Sequence, residues 1–331
     1  MHYNVFNGDA DGIIALLQLH LAQGHEQAPY QLITGVKRDI NLLQQVDSSK
    51  ATSVTVLDIS LEKNSQALQH LLSAQVPVFY VDHHRTGDIP QSPLFTSILD
   101  TDANTCTSLL INDYLNGKYV YWAIAAAYGD NMHASARALA KKVALSELQQ
   151  GQLNELGTYI NYNGYGQALS DLHFHPAELF KLLTHYPDPF ELIAQQDSIF
   201  SQLKTAYLAD MEKAEAAKVL SDNDLVQTIV LEDAPWARRV SGVFGNALAN
   251  QAPDKAHIVI TLNPPKTPQS EEREQSYTVS LRAPLNNKQG AGELCAQFPT
   301  GGGRAAAAGV NALPKSRLDE FINQVSSYYQ Q

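Results

Sequence analysis

The sequence predicts an α/β protein: an N-terminal domain on a parallel sheet and a smaller C-terminal α/β domain, joined by a helical linker. Three observations predict it. Short β-branched runs alternate with helix-spaced apolar residues early in the chain, each early run stops at an acid, and the alternation resumes after a long helical stretch. The expected boundaries are residues 1–190, a linker over 191–222, and 223–331.

Taken in order, Tyr3 to Phe6 reads as a strand, followed by the turn Asn7-Gly8-Asp9-Ala10-Asp11-Gly12. Helical spacing through Ile13, Ile14, Leu16, Leu17, Leu19 and Leu21 places a helix over 12–23. A strand is expected at 30–36, a second at Val54–Leu57 ending in Asp58, and a helix over 62–74. The run Val76–Val81 ends in Asp82-His83-His84-Arg85. Residues from 104 to about 220 read as mostly helical, interrupted at Tyr159–Gly166 and at Tyr186-Pro187-Asp188-Pro189. The stretch 190–220, with Glu191, Lys204, Asp210, Glu212, Lys213 and Glu215, predicts a polar-faced connecting helix. Beyond it, strands are expected at 225–231, 256–262 and 277–282, and helices at 236–249, 290–297 and 315–329. The polar segment Pro264–Gln275 reads as an exposed hairpin connection.

Composition sets the limits. A chain of 331 residues with 44% hydrophobic residues is long enough for two cores. No apolar run is long enough to span a membrane and no signal pattern opens the chain, so a cytoplasmic location is expected, with no membrane partner. Cys106 and Cys295 stand far apart, which argues against a disulfide framework or a zinc site. A formal charge of −11 disfavours tracking along long nucleic acid, because backbone affinity rests on lysine and arginine.

The carboxyl ends of strands in a parallel sheet share one edge, where open α/β folds bind ligands. Asp9, Asp11, Asp58, Asp82, His83 and His84 should therefore converge, joined by Asp130, which follows the apolar helix Trp122–Tyr128. Any one of Asp9, Asp11 or Asp58 alone reads as a helix cap or turn residue. Together they cannot share a cleft as bare anions, since like charges raise one another's pKa. Two divalent cations remove the conflict. Mixed carboxylate and imidazole donors without thiolate favour Mn²⁺, with Mg²⁺ or Co²⁺ as substitutes. Two such ions about 3.5–4 Å apart would clamp a phosphoryl group and supply hydroxide for in-line attack.

The ordered set Asn-Gly-Asp-Ala-Asp-Gly, Leu-Asp-Ile, Val-Asp-His-His-Arg and Tyr-Gly-Asp-Asn resembles the signature motifs of the DHH phosphoesterase superfamily over residues 3 to 132. Gly301-Gly302-Gly303-Arg304 resembles the glycine-rich motif of the DHH-associated domain found in nanoRNases, single-strand exonucleases and cyclic-dinucleotide phosphodiesterases. The resemblance implies that Asp9 and Asp58 hold one metal and that Asp11, Asp58, His83 and Asp130 hold the other, with Asp58 bridging. It implies that Asp82 supports the cluster and that His84 faces the substrate phosphate as an acid toward the leaving oxygen. Many members carry histidine where this chain has Val5, so Asn7 is the expected substitute ligand. Arg304 stands where histidine is common; it keeps a phosphate contact but cannot serve as a proton donor near neutral pH.

Arg85, Arg282, Arg304 and the amides of Gly301–Gly303 are the expected phosphate contacts, with Arg282 at the end of its strand. His173 and His175 are expected to face solvent; Lys37 and Arg38 follow a strand and could reach the phosphate edge, with exposed salt bridging the favoured reading. Asn161–Tyr165 is read as a lid or base-stacking segment only as a minor alternative. The expected activity is Mn²⁺-dependent hydrolysis of small phosphorylated nucleotides: short oligonucleotides, cyclic or linear dinucleotides, or adenosine 3′,5′-bisphosphate. A pyrophosphatase or polyphosphatase, and an inactive nucleotide-binding sensor, are the alternatives. Oligomeric state is left open, a homodimer being one option.

Overall fold

The computed structural model describes residues 1–24, 29–263 and 275–330, which form two compact units, Met1–Ala206 and Tyr207–Gln331. The first unit begins β1 (His2–Phe6), α1 (Ala10–Gln23), β2 (Tyr30–Ile33), β3 (Ser53–Leu57), α2 (Leu61–Ser73), β4 (Val78–Asp82) and β5 (Phe95–Leu99). The five strands lie in the order β2-β1-β3-β4-β5, and every pairing is parallel. Chain direction across the sheet reverses between β1 and β3, the switch point at which open sheets leave a crevice beyond their carboxyl ends.

Alternation along each strand sorts its side chains between two cores. Tyr3, Val5, Val54, Val56, Val78 and Tyr80 meet Leu68 and Leu71 of α2 in one apolar cluster. Helix α1 is buried from Ala10 to Leu19 on all sides. Complete burial of Ile13, Ile14 and Leu17 contributes about 1.5–3 kcal/mol each.

Seven further helices complete the unit: α3 (Thr107–Tyr114), α4 (Val120–Gly129), α5 (His133–Lys142), α6 (Glu147–Gly164), α7 (Pro176–Leu183), α8 (Pro189–Ala194) and α9 (Ile199–Glu215). A capping box of Ser146 and Gln149 starts α6. Helices α4 and α6 approach so closely that a Cβ on Gly157 would stand 1.8 Å from the Ala125 carbonyl oxygen. The interruption expected at Tyr159–Gly166 is not present, because α6 runs through it to Gly164. Its turn-forming residues are recruited by tertiary bonds, Asn163 exchanging hydrogen bonds with the Phe174 backbone at 2.9 and 3.0 Å. The break at Tyr186–Pro189 is found, with Asp188 capping α8.

The segment 191–222 is not one helical linker. It holds the end of α8, a break with Asp197 at φ 55°, α9, and strand β6 (Lys218–Asp222). The border between the compact units falls inside α9. The last residues leave the helix because their backbone groups find partners on a sheet edge, β6 pairing antiparallel with β7 (Val226–Leu231).

The second unit continues with α10 (Pro235–Gln251), β8 (Ala256–Leu262), β9 (Ser276–Arg282), α11 (Ala291–Ala296), β10 (Gly301–Gly303), β11 (Ala307–Pro314) and α12 (Leu318–Tyr329). Its six strands lie in the order β10-β11-β9-β8-β7-β6, with only β7 and β8 parallel. Ile258, Ile260, Val279, Leu281, Val310 and Phe321 centre its core. Gly301–Gly303 form the edge strand β10 rather than a loop, paired antiparallel with β11. Strands β8 and β9 pair antiparallel; the connection expected to be an exposed hairpin lies, over residues 264–274, outside the described residues. Among the described residues no helix is long and apolar enough to cross a membrane.

Candidate metal centre

Three parallel strands deliver the acids. Asp9 follows β1 and caps α1, its Oδ1 accepting from the Gly12 amide at 3.1 Å. Helix α1 thus starts two residues earlier than the spacing predicts and puts Asp11 in its first turn. Asp11 turns away from its own helix to cap α3: its two oxygens accept from the Thr107 and Ser108 amides at 2.8 and 2.7 Å. Asp58 follows β3 with φ 59°, an uncommon backbone for a non-glycine residue that aspartate tolerates. Asp82 closes β4 and is completely buried. Asp130 arrives from another direction, as the cap of α4.

His83 joins these carboxylates. Its Nδ1 lies 3.0 Å from the Thr105 carbonyl, which can only accept, so Nδ1 carries a proton and Nε2 is the ring nitrogen that faces the carboxylates. That Nε2 stands 3.4 Å from Asp58 Oδ1, 3.9 Å from Asp11 Oδ2 and 4.0 Å from Asp130 Oδ2. One donor atom each of Asp58, His83 and His84 falls within a 4.8 Å span. His84 Nδ1, however, is closest to Asp82 Oδ1 at 2.7 Å, so Asp82 orients His84 while the Thr105 carbonyl orients His83. The side chain of His84 is half-exposed.

Burial raises the Asp58 carboxyl well above its ordinary range, and the charges of Asp11, Asp9, Asp130 and Asp82 push it further. Burial opposes the charge on His84, but the hydrogen bond and charge of Asp82, with Asp130 and Asp9 behind, outweigh it and raise the imidazole. Asp9 behaves oppositely to Asp58. Burial would raise it, yet the charge and hydrogen bond of Lys37 bring it down to about 2.

Lys37 is not the exposed salt-bridging residue that the sequence suggests. Its side chain is 23% exposed, and its Nζ is ion-paired to Asp9 and lies 3.5 Å from Asp130 Oδ1 and 3.2 Å from Asn161 Oδ1. Burial lowers its pKa, but Asp9, Tyr165 and Asp130 raise it well above ordinary, so it is a fixed cation.

The donors fit a hard divalent ion. Carboxylates and one imidazole converge, and Asn7 Oδ1, buried, accepts no hydrogen bond among the described residues. Cys106 is also buried here, but burial and then the charges of Asp11 and Asp130 push its thiol well above ordinary, leaving it protonated and no soft ligand. Thr107, whose hydroxyl donates to Asp58 Oδ1 at 3.2 Å, belongs to the site too. Arg85 is exposed and has no ion-pair partner among the described residues.

No protein-family model matches the chain, and no curated protein matches it by sequence. Solved structures do match. RecJ of Thermus thermophilus in complex with Mn²⁺ superposes with a TM-score of 0.57 at 14% identity, covering 99% of this chain and 52% of that one. An exonuclease RecJ bound to manganese gives 0.53 at 16%, covering 100% and 90%. The pGpG-specific phosphodiesterase PggH of Vibrio cholerae gives 0.53 at 12%, covering 100% and 99%. The chain shares its fold with these structures. It spans about half the length of the Thermus thermophilus RecJ.

Within this fold the expected ligands Asp11, Asp58 and Asp130 come together around His83 Nε2. Asp9 lies beside them but is engaged by Lys37. Arg282, in the second unit, is held by its neighbours: Nε donates to Asn246 Oδ1 at 2.6 Å, and the terminal nitrogens donate to Ser280 Oγ at 2.9 Å and the Gly242 carbonyl at 3.0 Å. Arg304 is exposed in the turn that joins β10 to β11. Of the three glycines only Gly302 has open space where a Cβ would stand; at Gly301 it would meet the Cys295 carbonyl and at Gly303 the Ala308 backbone. His175 is an exposed helix cap, and His173, also exposed, bonds the Tyr162 hydroxyl at 2.8 Å. Tyr162 is buried within α6, whereas Tyr165, just past its end, is half-buried beside Lys37.

Proposed function

We propose that this chain is a divalent-metal-dependent phosphohydrolase whose substrates are short phosphorylated nucleotides, linear dinucleotides first among them. The observation that carries the proposal is the convergence of Asp11, Asp58 and Asp130 on Nε2 of His83. Asp58, His83, Asp11 and Asp130 are the residues that would hold the ion, with Mn²⁺ favoured by the donor set. When bound, that ion supplies Lewis-acid polarisation of the phosphoryl group and activation of the attacking water.

The chain's own residues do the remaining work. The Thr105 carbonyl orients the His83 ring. Asp82 holds His84 by Nδ1, so the opposite ring nitrogen is the one that can give a proton to the leaving oxygen. The charge of Asp82 keeps that imidazole protonated to higher pH than usual, which suits an acid. Arg85, Arg282, Arg304 and the amides of Gly301–Gly303 are proposed as substrate-phosphate contacts, Arg282 and Gly301–Gly303 on the strength of the family resemblance. A cytoplasmic location and a small-molecule rather than polymeric substrate belong to the same reading, the latter supported by the charge of −11.

Support for a dinucleotide comes from the full-length superposition on the pGpG-specific enzyme, 100% of this chain against 99% of that one. The test is a panel of linear dinucleotides, cyclic dinucleotides, adenosine 3′,5′-bisphosphate and pyrophosphate, each with Mn²⁺ and purified protein. Faster turnover of pyrophosphate than of any nucleotide would replace this reading with a pyrophosphatase. Bound Mn²⁺ without hydrolysis of any of them would leave a sensor.

A further inference from the structure

Two features of the first unit stand apart from the metal donors. Val5, where the family commonly offers an imidazole, is built into the apolar cluster under the sheet with Tyr3, Val54 and Val56. At the centre itself, a lysine ammonium sits among Asp9, Asp130 and Asn161.

We propose that the Lys37 ammonium permanently takes the place of one of the two cations, so that the centre accepts a single divalent ion at Asp58 and His83. The inference rests on the metal-dependent reading above and refines the ion count.

The pocket around Nζ is suited to an ammonium rather than a dication. Beside two carboxylates it offers the Asn161 amide oxygen at 3.2 Å and the Tyr165 ring, whose centroid is 5.5 Å away. An aromatic face attracts an ammonium but gives no ligand to a hard metal. Nor is Lys37 a loose surface chain swept inward. Its amide donates to the Gly164 carbonyl at 2.8 Å, and its own carbonyl accepts from Asn7 Nδ2 at 3.4 Å. Gly164 is needed for that approach, because a Cβ there would lie 2.9 Å from the Asp9 Cα.

A second dication on this side would have to sit against a fixed ammonium. Asp9 gives Oδ1 to the Gly12 amide and Oδ2 to Lys37. Asn7 Oδ1 is one neutral amide oxygen, where a dication takes roughly six oxygens and needs anionic ones among them. His83 Nε2, Asp58 and Asp11 lie together without Lys37 among them, and they keep one ion.

The deciding experiment counts Mn²⁺ per chain at saturation, by elemental analysis after gel filtration and by the electron paramagnetic resonance spectrum of the intact protein. The wild type is expected to hold about one ion with a mononuclear six-line signal, and Lys37→Met about two with an exchange-coupled signal, two-ion sites being spaced closely enough to couple. Two ions in the wild type would overturn the inference while leaving the metalloenzyme intact. One ion in both proteins would overturn Lys37 as the reason, and no ion in the wild type would end the metal-dependent reading itself. Should Lys37→Met not fold, Lys37→Gln carries the same test, and the wild-type count decides the ion number alone.

Discussion

The two sheets treat charge in opposite ways. At the edge of the first, Asp58 is buried among four other carboxylates and its proton is held well above the ordinary range. At the end of β9 in the second, Arg282 is met by Asn246, Ser280 and the Gly242 carbonyl. A buried charge with matched partners is what a stable fold requires; a crowd of like charges is tolerated only where a ligand relieves it. The first arrangement therefore marks a site that needs a ligand, the second a guanidinium already held in place. Substitutions in the two places should separate accordingly.

The largest effect is expected at Asp58. Asp58→Ala should lower kcat/KM by more than about a thousandfold, since neither Asp11 nor Asp130 comes as close to His83 Nε2. In the metal-free protein the same change should leave thermal stability unchanged or raise it by a few degrees. The sign follows from the direction of the shift: with the folded-state pKa raised, the ionised carboxylate opposes folding above the ordinary pKa of about 4. Calorimetry of the metal-stripped protein at neutral pH, beside turnover of a dinucleotide, measures both. A large loss of apo stability would show Asp58 to be structural and would collapse the contrast.

Next comes His84, where His84→Gln should cost about a hundredfold in kcat. Because its imidazole is raised, the protonated form is lost only as pH climbs above about 6.5, so the wild-type rate should fall on the alkaline side. Asp82→Asn, which removes the charge that raises it, should move that limb to lower pH. A pH–rate profile with the limb unmoved would take His84 out of the acid role.

Arg304→Ala, in the second unit, should raise KM about tenfold for substrates with a terminal phosphate and leave kcat within a few-fold. An equal fall in kcat would assign Arg304 to the reacting centre and remove the division of labour between the two units.

The contrast also explains what could be read in advance. Alternation and the strand-ending acids in the sequence placed β1, β3, β4, α1, α2 and the order of most second-unit elements, because each rests on local periodicity. The convergence of Asp9, Asp58 and Asp82 followed from one rule about parallel sheets. Lys37 obeyed that rule as well, sitting just beyond β2, but a lone lysine after a strand has no local signal separating a buried cation from a surface one. Asn161 was hidden more deeply. Its Tyr-Asn-Gly neighbours have turn propensity, and tertiary contacts, the packing of α6 against α4 at Gly157 and the bonds of Asn163 to Phe174, hold them helical. Strands β5, β6, β10 and β11 escaped because pairing on an existing edge, rather than their own patterns, makes them strands.

The smallest effect expected is also the finest test of the second sheet. Gly301-Gly302-Gly303 has structural reasons at its ends: a Cβ at Gly301 would come 1.8 Å from the Cys295 carbonyl oxygen, and Gly303 has φ 144°. Gly302 has neither, with nothing within 4 Å of where its Cβ would be. Gly302→Ala should therefore change stability by no more than about 0.5 kcal/mol, whereas Gly301→Ala should lose several times that. If the strand approaches a substrate phosphate, the added methyl of Gly302→Ala should raise KM a few-fold at unchanged melting temperature, and inorganic phosphate should inhibit that variant less than the wild type. With KM and phosphate inhibition both unmoved, the triplet would be packing alone, and recognition in the second unit would fall to Arg304.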